Sequence, residues 1–243
     1  MNLKEMIQAD EQNAKRLITE SSVMVGIPCY GGNITEGTFS SVINLTVMAL
    51  QLGMKMTFET LSNESFISRG RNSLAAKFLA GNYSHLMFID ADIQFNAEDV
   101  IRLVLHDRDV VGGVYPQKTI PPKMVVNTLD NAETEGDLLE VGTLGTGFML
   151  IKRQVFIKLV SENIVDNYVD NIGLSEEYEK NQFTFFDSML DTQKRYLTDD
   201  WAFCRRSRQA GFKIWADKNI ELIHSGYMRF FPDMTQLKGK KDG

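Results

Sequence analysis

Four short apolar runs limit what this chain can fold into: VMVGIP, MKMTFET, SHLMFID and DVVGGVY, with helix-patterned segments between them. Strands that alternate with helices are joined by right-handed crossovers, which lay the strands parallel in an α/β sheet. The spacing predicts helices over residues 36–52, over 65–81 with Gly81 as the stop, and over 96–107. In the last of these Asn96 is the expected N-cap, and Glu98 and Asp99 sit at the positive end of the helix dipole. One short helix is expected ahead of the first strand, within the polar segment that ends at Ser22.

The pattern changes after Pro116. PPKMVVNTL and DLLEVGT are expected as edge or antiparallel strands, and GTGFMLIKR as a return to the core. Residues 163–194 are polar, aromatic-rich and poorly periodic, which predicts a long loop of a functional kind. LTDDWAFCRRSRQAG then predicts a helix stopped by Gly211, followed by short strands FKIWAD and IELIH. No repeat or linker divides the chain. The expectation is one α/β domain with a central, mainly parallel but mixed sheet flanked by helices.

At 243 residues the chain can bury a substantial core. Its net charge of −6 argues against broad nucleic-acid binding, which needs a basic surface. Cys29 and Cys204 are the only cysteines, too few for a disulfide framework or a zinc site and in keeping with a reducing compartment. The first residues lack the apolar core of a signal peptide, and no stretch approaches the length of a membrane span, so a cytoplasmic protein is expected. The basic tail QLKGKKDG is expected to be frayed.

The chemistry-bearing motifs begin where SHLMFID ends. Asp90 and Asp92 flank Ala91, and residues two apart on a strand share a face. Both carboxylates are therefore expected to converge at the strand's carboxyl end, where open α/β sheets place ligands, and to suit Mg²⁺ or Mn²⁺. Asp199 and Asp200 follow Thr198, a candidate cap. They serve either as first-turn acids stabilising a helix or as a general base. His224 ends a short strand, either as a structural histidine or as an imidazole completing a metal site. Arg69 and Arg71 lie near a helix start, as a solvated basic face or as phosphate forks. VGIPCYGGN carries neither a dinucleotide fingerprint nor a P-loop; either Tyr30 stacks on a base there, or Pro28 and the glycines simply shape a turn. Phe183, Phe185, Phe186 and Tyr196 are either core or platforms for sugar rings.

Taken in order, VGIPCYGG, SRGRNSLA, FIDADIQF, GTGFMLIKRQVF, TDDWAFCRRSRQAG and IHSG resemble the GT-A glycosyltransferases, in particular family 2-like enzymes and their compact viral and phage relatives. The resemblance covers residues 22–227. It leaves 1–21 as an N-terminal helical extension and 228–243 as a tail. It implies a GT-A type fold and a metal-dependent enzyme that moves a hexosyl or deoxyhexosyl group from a UDP-, GDP- or dTDP-linked donor. The acceptor hydroxyl would belong to a glycan, a protein or a lipid-linked sugar, and transfer would proceed with inversion. By that resemblance Asp90, Asp92 and His224 hold Mn²⁺ or Mg²⁺. Pro28, Tyr30, Arg69, Arg71, Asn72, Asp90 and Ala91 contact the donor. Asp200, with Asp199 beside it, is the catalytic base. The chain departs from the family in having Asp199 where Glu is usual, and FETLSNES lacks the acidic pair that many members place near the base. Two other classes compete: a sugar-phosphate nucleotidyltransferase, although GGNITEG has none of the basic residues expected in its first loop, and a non-catalytic nucleotide- or sugar-binding module.

Overall fold

A computed structural model of the chain describes residues 1–170 and 175–233. It opens with α1 (Leu3–Ala9) and α2 (Glu11–Glu20) where one helix was expected. The reason is a second cap: Asn2 accepts from the Glu5 amide at 2.9 Å and Asp10 from the Asn13 amide at 3.0 Å, so Asp10 ends one helix and starts another. Then come β1 (Ser22–Cys29), α3 (Glu36–Leu52), β2 (Lys55–Ser62), α4 (Ile67–Ala80), β3 (His85–Ile89), β4 (Ile93–Gln94), α5 (Ala97–Leu105) and β5 (Val110–Gly113). The second half holds β6 (Val126–Thr128), β7 (Thr134–Glu135), β8 (Leu138–Leu144), β9 (Phe148–Lys152), α6 (Arg153–Ser161), α7 (Glu176–Glu179) and β10 (Met189–Leu190). It ends with β11 (Tyr196–Leu197), α8 (Asp199–Gln209), β12 (Ile214–Asp217), β13 (Ile223–Ser225) and β14 (Arg229–Phe230).

The main sheet runs β2-β1-β3-β9-β5-β12-β8-β6, with β7 pairing on β8. Seven of its nine strands point one way, and only β8 and β9 oppose them. The α/β class expected from the sequence, a mixed and mainly parallel sheet flanked by helices, is the one observed. The direction of β9 was not expected. It lies between β3 and β5 and antiparallel to both, so those two parallel strands never pair. FMLI is buried on both faces, which marks a central strand but carries no sign of its direction.

Side-chain alternation along β1 divides the core. Val23, Val25 and Ile27 pack with Leu45 of α3 and Val100 and Val104 of α5, a layer that also takes in Leu3 and Ile18 from the N-terminal helices. Met24 faces the opposite layer, with Phe78 of α4, Phe156 of α6 and Phe203 of α8. Phe186 stacks on Phe203 at 4.6 Å and meets Phe88 edge-on at 5.2 Å. Phe185 and Phe186 are therefore core residues, closed to any sugar, and truncating either to Ala would cost about 3–5 kcal/mol. Phe183 packs against Phe185 at the edge of the same cluster, whereas Tyr196 is exposed.

The long loop is less bare than expected: α7, β10 and an antiparallel bridge from Asn167 to Phe183 lie within 163–194, of which 171–174 fall outside the described residues. The tail QLKGKKDG also lies outside them. No helix among the described residues is long and apolar enough to cross a membrane, and both cysteines are buried free thiols.

Candidate functional site

The site forms where β1 and β3 end and a second, three-stranded sheet, β14-β13-β4, begins. β3 stops at Ile89, and Asp90, Ala91 and Asp92 form a turn into β4 rather than the last residues of the strand. The Asp90 amide donates to Gly147 O at 2.9 Å, Ala91 O accepts from the Thr35 amide at 2.8 Å, and Asp92 O accepts from the Ser225 amide at 2.8 Å. Strand alternation therefore does not set the two side chains, although both line the same cleft. Each carboxylate faces its own cation.

Asp90 faces Arg71. From the buried second turn of α4, Arg71 donates from Nη2 to Asp90 Oδ1 at 3.0 Å and from Nε to Asp199 Oδ2 at 3.0 Å. Burial alone would lower the guanidinium's pKa, but the two carboxylates outweigh it and hold the charge in place. The remaining nitrogen, Nη1, is buried and has no hydrogen-bond partner among the described residues. Arg71 thus ties the turn after β3 to the first turn of α8.

Asp92 faces His224 and Lys118. The antiparallel pairing of β13 with β4 sets His224 opposite Ile93, one residue past Asp92. His224 Nε2 lies 3.3 Å from Asp92 Oδ1, and its Nδ1 lies 2.8 Å from Pro116 O. A carbonyl only accepts, so the hydrogen-bond pattern places the hydrogen on Nδ1. Nε2 then meets a carboxylate oxygen, and either a proton or a cation shared by the two satisfies that contact. Lys118 binds the other oxygen, Oδ2. Burial opposes ionisation of Asp92, yet its pairing with His224 and Lys118 outweighs it and holds the carboxyl below the usual range.

The catalytic candidates sit at the start of α8. Thr198 occupies the N-cap position, but its hydroxyl donates to Asp200 Oδ1 at 2.7 Å instead of capping a backbone amide. Asp200 also accepts from the Trp201 amide at 2.8 Å. Burial, followed by the like charge of Asp199, raises the Asp200 carboxyl above its ordinary value. The neighbours thus divide roles: Asp199 is bound to Arg71, while Asp200 is left with an increased affinity for a proton.

Beside the Asp90–Ala91–Asp92 turn runs a cleft of about 450 Å³, lined also by Pro28, Tyr30, Thr35, Ile67 and Lys118; Arg71, Asp199, Asp200 and His224 are not part of its lining. Tyr30 is 75% exposed at its rim. Three expected donor contacts do not line the cleft: Arg71 is the buried fork on Asp90 and Asp199, and Arg69 and Asn72 are engaged elsewhere. Arg69 is held by Glu64 through a two-pronged contact at 2.6 and 2.9 Å. Asn72 is buried and braces the 185–187 segment, donating to Asp187 Oδ2 at 3.0 Å and accepting from the Phe186 amide at 2.9 Å.

Three site residues were not singled out in the sequence. Lys118 lies in an irregular loop after β5 that carries no periodic pattern in the sequence. Tyr115 is buried, and its hydroxyl accepts from the Gly147 amide at 3.1 Å. Burial, then Asp90, pushes that hydroxyl well above its usual pKa and keeps it neutral. Gly147 is the third: a Cβ there would lie 2.6 Å from Asp90 Oδ2 and 2.8 Å from Tyr115 Oη. The glycines of GTGF were the available signal, since a glycine beside a core strand often marks the close approach of another group.

Among the described residues no three His, Cys, Asp or Glu side chains form a metal cage. A hard cation that takes most of its ligands from water and substrate phosphates needs only one or two carboxylates. The Asp92–His224 pair, with its tautomer fixed by Pro116, fits such a cation.

No protein-family model matches the chain, and no curated protein does. Solved structures match in fold. A197 from STIV shares 18% identity over 84% of this chain and 86% of its own, at a TM-score of 0.50. At that identity the likeness concerns the fold alone. A nucleoside-diphosphate-sugar pyrophosphorylase from Vibrio cholerae RC9 (12% identity, 95% of this chain and 85% of that one) has a TM-score of 0.37. S. aureus TarS 1-349 in complex with UDP-GlcNAc (12% identity, 80% and 55%) has one of 0.36. These last two likenesses are too loose to bear on this chain.

Proposed function

We propose that this protein is a glycosyltransferase that moves a sugar from a nucleoside-diphosphate donor to an acceptor hydroxyl with inversion, assisted by Mn²⁺ or Mg²⁺. The observation that carries this reading is the cleft itself. It lies at the carboxyl edge of the sheet, with the Asp90–Ala91–Asp92 turn in its wall and the buried Arg71 fork connecting that turn to the helix that bears Asp200. The order of motifs resembling GT-A enzymes, in an architecture of the kind that resemblance implies, supports it further.

In this reading Tyr30 offers its ring to the nucleotide base, and the Ala91 region admits the ribose and phosphates. Asp92 and His224 would hold the cation, which when bound neutralises charge on the departing diphosphate. Arg71 fixes Asp90 and Asp199, and its free Nη1 adds a donor beside them. Asp200, oriented by Thr198, takes the proton of the attacking hydroxyl from the face opposite the leaving group. The donor nucleotide is uridine, guanosine or thymidine diphosphate, and the acceptor a glycan, a protein or a lipid-linked sugar. The two free thiols suit a cytoplasmic setting.

The test is incubation with UDP-, GDP- and dTDP-sugars, Mn²⁺ and a panel of acceptors. Release of nucleoside diphosphate with an inverted anomeric product is expected. Pyrophosphate release from a nucleoside triphosphate and a sugar phosphate would instead make the protein a nucleotidyltransferase. Binding without turnover across the panel would make it a binding module.

A further inference from the structure

Lys118 holds a position that the reaction outlined above does not use. Its ammonium is paired with Asp92 Oδ2, while His224 approaches the other oxygen of the same carboxylate. Both groups are tied to one loop: Pro116 O anchors His224 Nδ1, and Lys118 follows two residues later. The base of that loop is closed by an antiparallel bridge from Pro116 to Met124 and by the Gln117 amide donating to Lys123 O at 2.6 Å.

The lysine stem lies across Gly226. A Cβ at Gly226 would stand 3.0 Å from Lys118 Cδ and 3.5 Å from Cε. The glycine of IHSG therefore serves as the bed on which Lys118 reaches Asp92. The side chains of Lys118 and Asp92 are 34% and 32% exposed, and a pair that open to water is weakly held and exchanges partners readily. Lys118 also lines the cleft, so a short swing of its flexible stem carries the ammonium from the carboxylate to a ligand in that space.

We propose that Lys118 is a partner-switching cation: it neutralises Asp92 until a divalent ion takes that carboxylate, and then carries its charge to the donor's diphosphate. This rests on the donor-site reading above. It makes Lys118 a competitor of the metal and an ally of the phosphates, two roles that a merely structural lysine would not combine.

The experiment compares the wild type with Lys118→Gln by calorimetric titration, first with Mn²⁺ alone and then, on protein saturated with Mn²⁺, with inorganic pyrophosphate as its Mn²⁺ complex. Circular dichroism checks that the variant is folded. Mn²⁺ is expected to bind the variant on the order of tenfold more tightly, because a like charge is gone from its ligand. Pyrophosphate is expected to bind on the order of tenfold more weakly, because a cation is lost from the cleft. Gly226→Ala, which displaces the lysine stem, should weaken pyrophosphate in the same direction. Unchanged Mn²⁺ affinity, or loss of both affinities together, overturns the proposal while leaving the metal site of the wild type standing. If neither protein takes up Mn²⁺, the metal reading falls, and this proposal with it.

Discussion

His224 directs Nε2 at Asp92 Oδ1 from 3.3 Å, across the junction of the two sheets. One partner comes from the turn after β3 and the other from β13, 132 residues further on in the chain. The pair exists because β13 hydrogen-bonds to β4 in the register that places His224 against Ile93.

Replacing Asp92 with Asn, or His224 with Gln, should abolish the Mn²⁺-dependent part of nucleotide binding. Stability should change little, within about 1 kcal/mol for Asp92, whose ion pairs are open to water. Calorimetric titration and urea unfolding on the same samples check both halves of this expectation.

Arg71 should behave in the opposite way. It is 4% exposed and holds two carboxylates, so Arg71→Met leaves Asp90 and Asp199 without their shared counter-charge. A loss of about 3–5 kcal/mol is expected, as when one member of a buried ion pair is removed. Adding Asp199→Asn to Arg71→Met should recover part of that loss in urea unfolding. No recovery would mean that the guanidinium matters for packing rather than charge.

Asp200→Asn should reduce kcat by about 10²–10⁴-fold with little change in KM for the donor. The wild-type pH profile provides a second reading. A base works only when ionised, and the Asp200 carboxyl is raised by burial and by Asp199. Activity should therefore fall on acidification at a pH above the ordinary carboxylate value, and that acid limb should vanish in the residual activity of Asp200→Asn.

Asp99 offers a test of stability away from the site. It accepts from the Asn96 amide at 2.9 Å at the start of α5, and burial raises its carboxyl from 3.8 to about 7. Below about pH 4 both the folded and the unfolded chain carry the proton, and there is no penalty. Between about 4 and 7 the unfolded chain ionises first, so stability falls with rising pH by at most ~1.4 kcal/mol per unit. Asp99→Asn keeps an acceptor for Asn96 and removes the titration. Relative to wild type it should be more favourable at pH 8 than at pH 4.5 in urea midpoints, and an equal difference at both would contradict the assignment.

Much of the scaffold was legible in the sequence because it is governed locally. The helix expected over 36–52 is observed, running from a Thr35 cap to Gly53, which adopts φ 70° at its end. β1, β3 and β5 were equally plain as apolar runs. The antiparallel insertion of β9 was not, because its direction depends on pairing with β3 and β5, which are distant in the chain. The site was half legible. Asp90, Asp92, Arg71, Asp199 and Asp200 were singled out by residue type and spacing, but their division into an Arg71 cluster and a Lys118–His224 cluster follows from a turn that ends β3 one residue before Asp90. Lys118 and Tyr115 gave no local signal, and only the glycines opposite them, Gly226 and Gly147, hinted at something close.

The most direct test of the donor cleft is thermal unfolding with UDP, GDP and dTDP, each with and without Mn²⁺. Ligand at about 100 times its dissociation constant stabilises the native state by roughly 2.7 kcal/mol. For a chain of this size that raises Tm by about 5–10 °C. The account predicts such a shift for one nucleoside diphosphate, only with Mn²⁺ present, and its loss in Asp92→Asn. No shift with any pair, or one that persists unchanged in Asp92→Asn, would contradict a metal–diphosphate site at this turn.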